Sequence, residues 1–230
     1  MDCRSLTAWE VLYSFGSVLL SLAVLSCSPS ARIPTVSEDR LQRLLRDEAS
    51  RILQVTRDKD AASQYRILLS DFPRQDILGV SVGSRRIYIS YRLAALAFQD
   101  TRYRWLLRQT LAHEIAHEIT GHASWNGGTS FHRFAQGRGI TGADLGLPRN
   151  VRFHPYSVEK ELEADLHGMK YWSKLHWDCR VWVKILEGFR EQNYSGDISL
   201  RTDDRLRQAV RLCPQADKRI PSAALPVSGS

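Results

Sequence analysis

The spacing of apolar residues along the chain predicts a domain that begins with a helix and continues into a small sheet. After Ser37, apolar residues recur at helical spacing through about Arg57. Residues 65–69 (YRILL) are typical of a strand. Residues 80–90 (VSVGSRRIYIS) predict a hairpin or a pair of short strands around Gly83 and Ser84, because turn residues there separate two β-prone runs.

The rest of the chain has a mainly helical pattern with one long interruption. Residues 91–121 predict two helices broken near Asp100 and Thr101. Further helices are predicted over residues 157–175, 177–189 and 203–212. Residues 123–155 are rich in glycine and poor in periodic apolar positions, which predicts a long loop of the kind that is usually functional. The expected fold class is therefore α+β, mostly helical with a small β-sheet.

An uncharged apolar run, residues 11–25 (VLYSFGSVLLSLAVL), precedes the predicted domain. It is shorter than the roughly 20 residues of a membrane span, which favours the hydrophobic region of an export signal over a buried core helix. The four residues that end in Cys27 (VLSC) resemble the lipobox of bacterial lipoproteins, in which the cysteine becomes lipid-modified. A simple cleaved signal and a retained anchor stay open as alternatives. The expected location is the bacterial periplasm, at a membrane, and an outer-membrane lipoprotein is one form of it.

Composition and charge narrow the classes of partner. With 230 residues, 43% hydrophobic and 25% charged, the chain has room for one globular domain and a targeting segment. The net charge is +7, but acidic residues alternate with the basic ones and no basic run contains aromatic residues, so no nucleic-acid partner is expected. Leader cleavage would remove Cys3 and lipidation would use Cys27. Cys179 and Cys213 are then either a disulfide or two buried thiols.

Candidate chemistry is concentrated in residues 111–122 (LAHEIAHEITGH). His113 and His117 are four residues apart, so a helix places both imidazoles on one face, where they can bind a single Zn²⁺. Glu114 lies one step around the helix, where a general base can take a proton from a metal-activated water. The alternative is a helix that is rich in histidine by chance, because two ligands do not complete a zinc site.

Three residues are candidates for the third ligand. His122 turns away from the face of the histidine pair unless the helix ends at Gly121. His154 lies in the predicted loop. Glu161 lies on a predicted helix with Asp165 one turn later on the same face. Glu161 is favoured, because it can bind the metal while Asp165 accepts the free N–H of a ligand histidine.

The motif HEIAH, followed some forty residues later by ELEADLHG, resembles the HExxH and ExxAD motifs of a group of gluzincin zinc metalloproteases. The group includes HtpX, the CAAX prenyl protease and the periplasmic lipoproteases BepA and LoiP. The resemblance implies a zincin-like metalloprotease domain with one Zn²⁺ per chain and protein or peptide substrates. Carried over by residue, it implies zinc ligands His113, His117 and Glu161, general base Glu114, and Asp165 hydrogen-bonded behind a ligand. It also implies an edge strand, to which an extended substrate adds, at Ile87, Tyr88 and Ile89.

These features predict four segments: a leader or membrane anchor (1–27), a linker (28–36), a zinc metalloprotease domain (37–215) and a flexible tail (216–230). The expected function is a zinc-dependent endopeptidase at a membrane surface, in envelope protein quality control. One alternative is a chaperone-like or binding lipoprotein on a latent zincin scaffold. Another is a cytosolic DNA-repair metalloprotease, which the leader argues against. Candidate stabilisers of the oxyanion are His154, Tyr156, Tyr194 and Arg205.

Overall fold

The computed structural model describes four stretches of the chain, residues 36–72, 77–122, 156–191 and 202–214. All of them belong to the second of the two units into which the chain divides, Arg32–Ser230. The predicted leader, the predicted loop 123–155, the predicted tail and nearly all of the predicted linker lie outside the described residues. The segment boundaries therefore stay predictions.

Helices dominate the described residues, and a three-stranded sheet accompanies them. The α-helices are α1 (Glu38–Leu53), α2 (Tyr91–Gln99), α3 (Thr101–Thr120), α4 (Val158–Lys174), α5 (Cys179–Glu191) and α6 (Thr202–Leu212). The strands are β1 (Arg66–Ser70), β2 (Gly79–Ser81) and β3 (Arg86–Ser90), and a 3₁₀ helix (Lys59–Gln64) connects α1 to β1. An α+β fold that is mostly helical is thus confirmed. Within the described stretches, none of the helices has the length and apolar character that crossing a membrane requires.

The helix boundaries follow the signals in the sequence. Ser37 directly precedes α1. The predicted break near Asp100 separates α2 from α3, because the Asp100 carboxylate accepts a hydrogen bond from the Arg102 N–H at 2.8 Å and caps α3. The observed ends of α4, α5 and α6 lie within two residues of the predicted ones. Periodicity and capping residues therefore predicted these helices correctly, except that α1 ends at Leu53, four residues before the predicted end at about Arg57.

The strand order is β1-β3-β2, which makes β3 the central strand. It pairs in parallel with β1, where Ile67 is opposite Ile87, and antiparallel with β2, where Val80 is opposite Tyr88. The prediction that Ile87, Tyr88 and Ile89 form an edge strand is wrong, because both sides of β3 are already paired. All three side chains are also buried. Among the described residues, the edges of this sheet are β1 and β2.

Helix α3 runs through the centre of the described domain and contacts α1, α2, α4 and the sheet. Buried apolar residues line it: Leu107, Leu111, Ala112, Ile115 and Ala116. Because neighbours cover more than one face of α3, the helix also brings polar side chains into the core. The residues of the HEIAH motif are among them.

Helices α5 and α6 pack against α4 and against each other. A disulfide joins Cys179, at the start of α5, to Cys213, just after α6, so this one of the two alternatives for these cysteines is confirmed. Gly168 of α4 allows Trp182 of α5 to approach closely, since a Cβ at Gly168 would lie 2.5 Å from the indole Cη2. The glycine after the second motif thus serves the packing of α4 against α5.

Candidate metal centre

His113 and His117 project from one side of α3, one helical turn apart. Their Nε2 atoms lie 3.0 Å from each other, and only 1% of the His117 side chain is exposed. A buried imidazole is costly unless its nitrogens have partners. Each of these rings has a partner on both nitrogens, and the partners come from different parts of the fold.

Glu161 of α4 supplies the third donor. Its Oε2 lies 2.9 Å from the Nε2 of His113, and its Oε1 lies 3.6 Å from the Nε2 of His117. Metal–ligand bonds of about 2.0–2.1 Å at tetrahedral angles place neighbouring ligand atoms roughly 3.3 Å apart, so these separations suit a single ion. His113, His117 and Glu161 form a buried cluster that could hold a metal ion.

The charges around the cluster favour a cation. Glu114, Glu161 and Asp165 are buried beside the guanidinium of Arg205. When all are ionised, these three carboxylates and one guanidinium leave a formal charge of −2, which a divalent ion would balance. Burial alone would lower the pKa of His113, but the carboxylates of Glu161 and Asp165 together outweigh burial and raise that pKa above its ordinary value. His113 therefore attracts positive charge, either as a proton or as a metal ion, whereas burial lowers the pKa of His117 to about 4.

Glu114 lies beside the cluster and points to the sheet. Its Oε2 accepts a hydrogen bond from the main-chain N–H of Ser81 in β2 at 2.8 Å. Burial raises the pKa of Glu114 to about 7. A carboxylate with a pKa near neutrality can both accept and return a proton, which is the property of a general acid–base.

Asp165 holds His113 from behind. Its Oδ1 lies 2.9 Å from the Nδ1 of His113, so an N–H at Nδ1 leaves Nε2 available for a metal. The guanidinium of Arg205 in α6 donates two hydrogen bonds to Asp165, at 2.5 and 2.8 Å. Arg205, a candidate oxyanion stabiliser in the sequence, is thus engaged in orienting Asp165.

His122 lies behind the other histidine. Its Nδ1 is 3.0 Å from the Nδ1 of His117, whereas the Nε2 of His117 faces Glu161. The Nε2 of His122 is 3.0 Å from the Oε2 of Glu163 on α4. His122 therefore contacts a member of the cluster without joining it. Glu163, whose side chain is half exposed, accepts this hydrogen bond from His122.

Tyr156 covers His117. The two rings are stacked, with centroids 3.9 Å apart and planes 16° from parallel. The hydroxyl of Tyr156 donates to the main-chain carbonyl of Ser81 at 3.1 Å. Because Glu114 accepts from the N–H of the same residue, side chains of the site engage both main-chain groups of Ser81. Burial raises the pKa of the Tyr156 phenol well above its ordinary value, so it remains a donor at neutral pH.

Sequence reasoning missed the role of Glu118, which lies one turn after Glu114. Its carboxylate accepts hydrogen bonds from the Ser81 hydroxyl and from the main-chain N–H groups of Gly83 (2.7 Å) and Arg85 (2.9 Å). Both of these turn residues have positive φ. The four-residue spacing places Glu118 on the same side of α3 as Glu114. Its partners, however, lie 33 to 37 positions earlier and are not marked by any local pattern.

Some predicted residues do not join the site. Ile87, Tyr88 and Ile89 lie in the central strand β3, where no peptide can add. His154 and Tyr194 lie outside the described residues, as does the loop predicted to border the cleft.

Comparison with known proteins finds no matching family model and no matching curated protein for this chain. The interpretation of the site therefore depends on its own residues and their geometry.

Proposed function

We propose that this protein is a zinc-dependent endopeptidase with a zincin-like fold, which hydrolyses peptide bonds in proteins. The observation that carries the proposal is the position of Glu114 beside the buried cluster of His113, His117 and Glu161. Metal-assisted hydrolysis of an amide uses a cation that activates water and a base that takes the proton of that water. A helix rich in histidine by chance gives no reason for a third donor from α4 to be buried against the pair.

The donor set supports zinc as the metal. Two imidazole nitrogens and one carboxylate are a ligand set of catalytic zinc sites, which keep the fourth position for water or substrate. Mg²⁺ and Ca²⁺ prefer sites built from oxygen ligands. One Zn²⁺ per chain is accordingly the proposed cofactor, and other imidazole-binding transition metals are its competitors.

A zinc ion in this site would act as a Lewis acid and lower the pKa of a water molecule from 15.7 towards about 7. Glu114 takes the proton of the attacking water and passes it to the leaving amine. The hydrogen bond from the Ser81 N–H keeps the Glu114 carboxylate in place during this transfer. Asp165 keeps His113 in the Nδ1–H form, and the ring of Tyr156 shields His117 from water.

The proposed path of an extended substrate is β2 rather than β3, since β2 is an edge of the sheet as far as the structure describes the chain. The main-chain N–H of Val82 and the carbonyl of Leu78 point to β3, where they bond to Arg86 and Ser90. Because successive residues of an antiparallel strand alternate, the main-chain groups of Ser81 point away from β3, towards Glu114 and Tyr156. A peptide can add there by main-chain hydrogen bonds once the Tyr156 hydroxyl leaves the Ser81 carbonyl.

The proposed setting is a membrane surface of the bacterial envelope. This part of the proposal depends on the apolar run 11–25 and on Cys27, which lie outside the described residues. Mass spectrometry of the mature N-terminus tests it directly. A lipid-modified Cys27, a simple cleaved signal and a retained anchor each give a different mass.

The test of the proposed reaction separates hydrolysis from metal binding. Glu114→Gln keeps the shape of the side chain but removes the base. The purified variant should therefore bind about one equivalent of zinc and cleave casein roughly 10²–10⁴-fold more slowly than wild type. Glu159→Gln removes an exposed carboxylate from α4 and is the matched control, with wild-type cleavage expected. Undiminished cleavage by Glu114→Gln would overturn the mechanism.

A companion variant, Glu161→Ala, tests the third ligand. Its zinc content should fall far below one equivalent, because two histidines do not complete the site. Unchanged zinc content would instead make His122 or His154 the third ligand. A wild-type protein that binds zinc and unfolded chains but cleaves no peptide would favour the chaperone-like alternative.

A further inference from the structure

The way in which α3 ends fixes His122 behind His117. Gly121 adopts the left-handed conformation with φ 77°. The N–H groups of Gly121 and His122 bond back to the carbonyls of Glu118 (3.1 Å) and His117 (3.0 Å). This pair of hydrogen bonds is a Schellman motif, which turns the chain back over the last helical turn. The imidazole of His122 therefore meets His117, although a continuing helix would have carried it to another face.

The side chains of Glu163, His122 and His117 form a chain in which hydrogens can be donated in one direction only. A carboxylate only accepts, so the Nε2 of His122, 3.0 Å from Glu163, carries a hydrogen. The Nδ1 of a neutral His122 is then unprotonated and accepts from the Nδ1 of His117 at 3.0 Å. His117 must in turn carry its hydrogen on Nδ1. Its Nε2, which faces Glu161, is left free to bind a metal.

The two histidines of the cluster thus have different partners with the same effect. Asp165, held by Arg205, selects the Nδ1–H form of His113 through a buried ion pair. For His117, the selecting group is a second imidazole. The His122 side chain is 5% exposed, and the carboxylate that orients it belongs to a side chain that is 51% exposed. Residues that do not belong to the cluster therefore hold both His113 and His117 in the tautomer with the hydrogen on Nδ1.

We infer that His122, oriented by Glu163, is a positioning residue that prepares His117 for metal binding. The inference rests on the proposed zinc site and deepens it. His122 orients the ligand His117 and is not itself a fourth ligand. A ligand whose tautomer and ring orientation are set in advance loses less freedom when it binds. Partners of this kind typically contribute about 10–100-fold in metal affinity.

Two substitutions of His122 separate hydrogen bonding from packing. His122→Phe keeps an aromatic ring near His117 and Tyr156, whose ring centroids lie 5.1 and 6.0 Å away, but removes the acceptor. His122→Asn loses the ring, while its amide oxygen can take the place of Nδ1. Competition with a chromophoric zinc chelator measures the affinity of the full-length folded protein. Zinc affinity should fall about 10–100-fold in His122→Phe and stay closer to wild type in His122→Asn.

A larger loss of zinc affinity in His122→Asn than in His122→Phe would overturn the inference, because a role of the ring in packing predicts that order. Wild-type affinity in both variants would overturn it as well. Circular dichroism on the same samples checks that each variant is folded. Should either His122 variant fail to fold, the test passes to Glu163, whose half-exposed side chain can be replaced without opening the core.

Glu163 provides the second part of the experiment. Glu163→Ala removes the acceptor for His122, whereas Glu163→Gln keeps an acceptor oxygen without the charge. Glu159→Ala removes an exposed carboxylate one turn earlier on α4 and is the matched control. Zinc affinity should fall in Glu163→Ala and remain near wild type in the other two. An equal loss in Glu159→Ala would indicate a general effect of charge and would overturn the role of Glu163.

Zinc affinity is the readout, so the inference and the proposed function can fail separately. A wild-type protein that binds zinc, shows these variant effects and cleaves no peptide would overturn the proposed function and support the inference. A wild-type protein that binds no divalent metal would overturn both.

Discussion

Arg205 of α6 and Asp165 of α4 form a buried ion pair directly behind His113. The guanidinium donates from Nε and Nη2 to the two carboxylate oxygens at 2.5 and 2.8 Å, and Asp165 is only 1% exposed. Burial alone would raise the pKa of Asp165, but the charge and hydrogen bonds of Arg205, together with the contact to His113, outweigh burial and hold that pKa below its ordinary value. The last described helix is thereby connected to the candidate metal centre by a charged contact.

Arg205→Ala should destabilise the protein strongly, because it leaves the Asp165 carboxylate buried without its cation. The expected loss in unfolding free energy is about 3–5 kcal/mol, measured by urea unfolding. Arg207→Ala is the matched control on the same helix. Its side chain is 68% exposed and pairs with Asp204, so its replacement should cost less than about 1 kcal/mol. Equal stability of the two variants would show that the buried pair does not stabilise the fold.

Glu118→Ala should destabilise the turn between β2 and β3 while leaving metal binding intact. The variant loses the acceptor for the N–H groups of Gly83 and Arg85 and for the hydroxyl of Ser81. Hydrogen bonds to a charged group contribute about 1.5–3 kcal/mol each, and water replaces part of them in this half-exposed turn, so a net loss of about 2–4 kcal/mol is expected. Urea unfolding and zinc analysis of one sample test both statements. A stably folded variant without zinc would place Glu118 in the metal site.

The candidate site could be predicted from the sequence where its residues share one helix. His113, Glu114 and His117 keep their mutual arrangement wherever α3 lies in the fold, because the helical period fixes it. Glu161 is different, since its distance from His113 depends on how α4 packs against α3. Only a second motif, with Asp165 one turn after Glu161, indicated which residue of the distant segment faces the pair.

The strand order and the contacts of the helix end could not be predicted in this way. Residues 80–90 predict a hairpin, but they do not indicate which of its strands β1 joins. Because β1 joins β3, the strand that was expected at the edge is central. Gly121 is a local signal for the end of the helix, but the spacing of the residues does not show that the reversal there brings His122 against His117.

Gly168→Ala should destabilise the contact between α4 and α5. The added methyl would lie 2.5 Å from the Cη2 of Trp182, a fully buried indole that has little space to move, so a loss of about 1–3 kcal/mol is expected. Gly188→Ala is the matched control, because a Cβ at that helical position meets no atom within 4 Å. It should stabilise the protein by about 0.5–1 kcal/mol through better helix propensity. Thermal unfolding should therefore shift in opposite directions, and a parallel shift would contradict the packing argument.

Removal of the disulfide between Cys179 and Cys213 should lower stability without abolishing metal binding. The bond closes a loop with a sequence separation of 34, for which the loss of chain entropy corresponds to roughly 3–4 kcal/mol. Non-reducing peptide mapping should recover the two cysteine peptides linked, and urea unfolding with reductant should match that of a Cys179→Ser/Cys213→Ser double variant. Arg205 lies eight residues before Cys213, so its contact with Asp165 should persist and zinc affinity should fall less than in Arg205→Ala. Recovery of both peptides with free thiols would contradict the disulfide. A larger loss of zinc affinity in the double variant than in Arg205→Ala would mean that the disulfide, more than the ion pair, holds α6 in place.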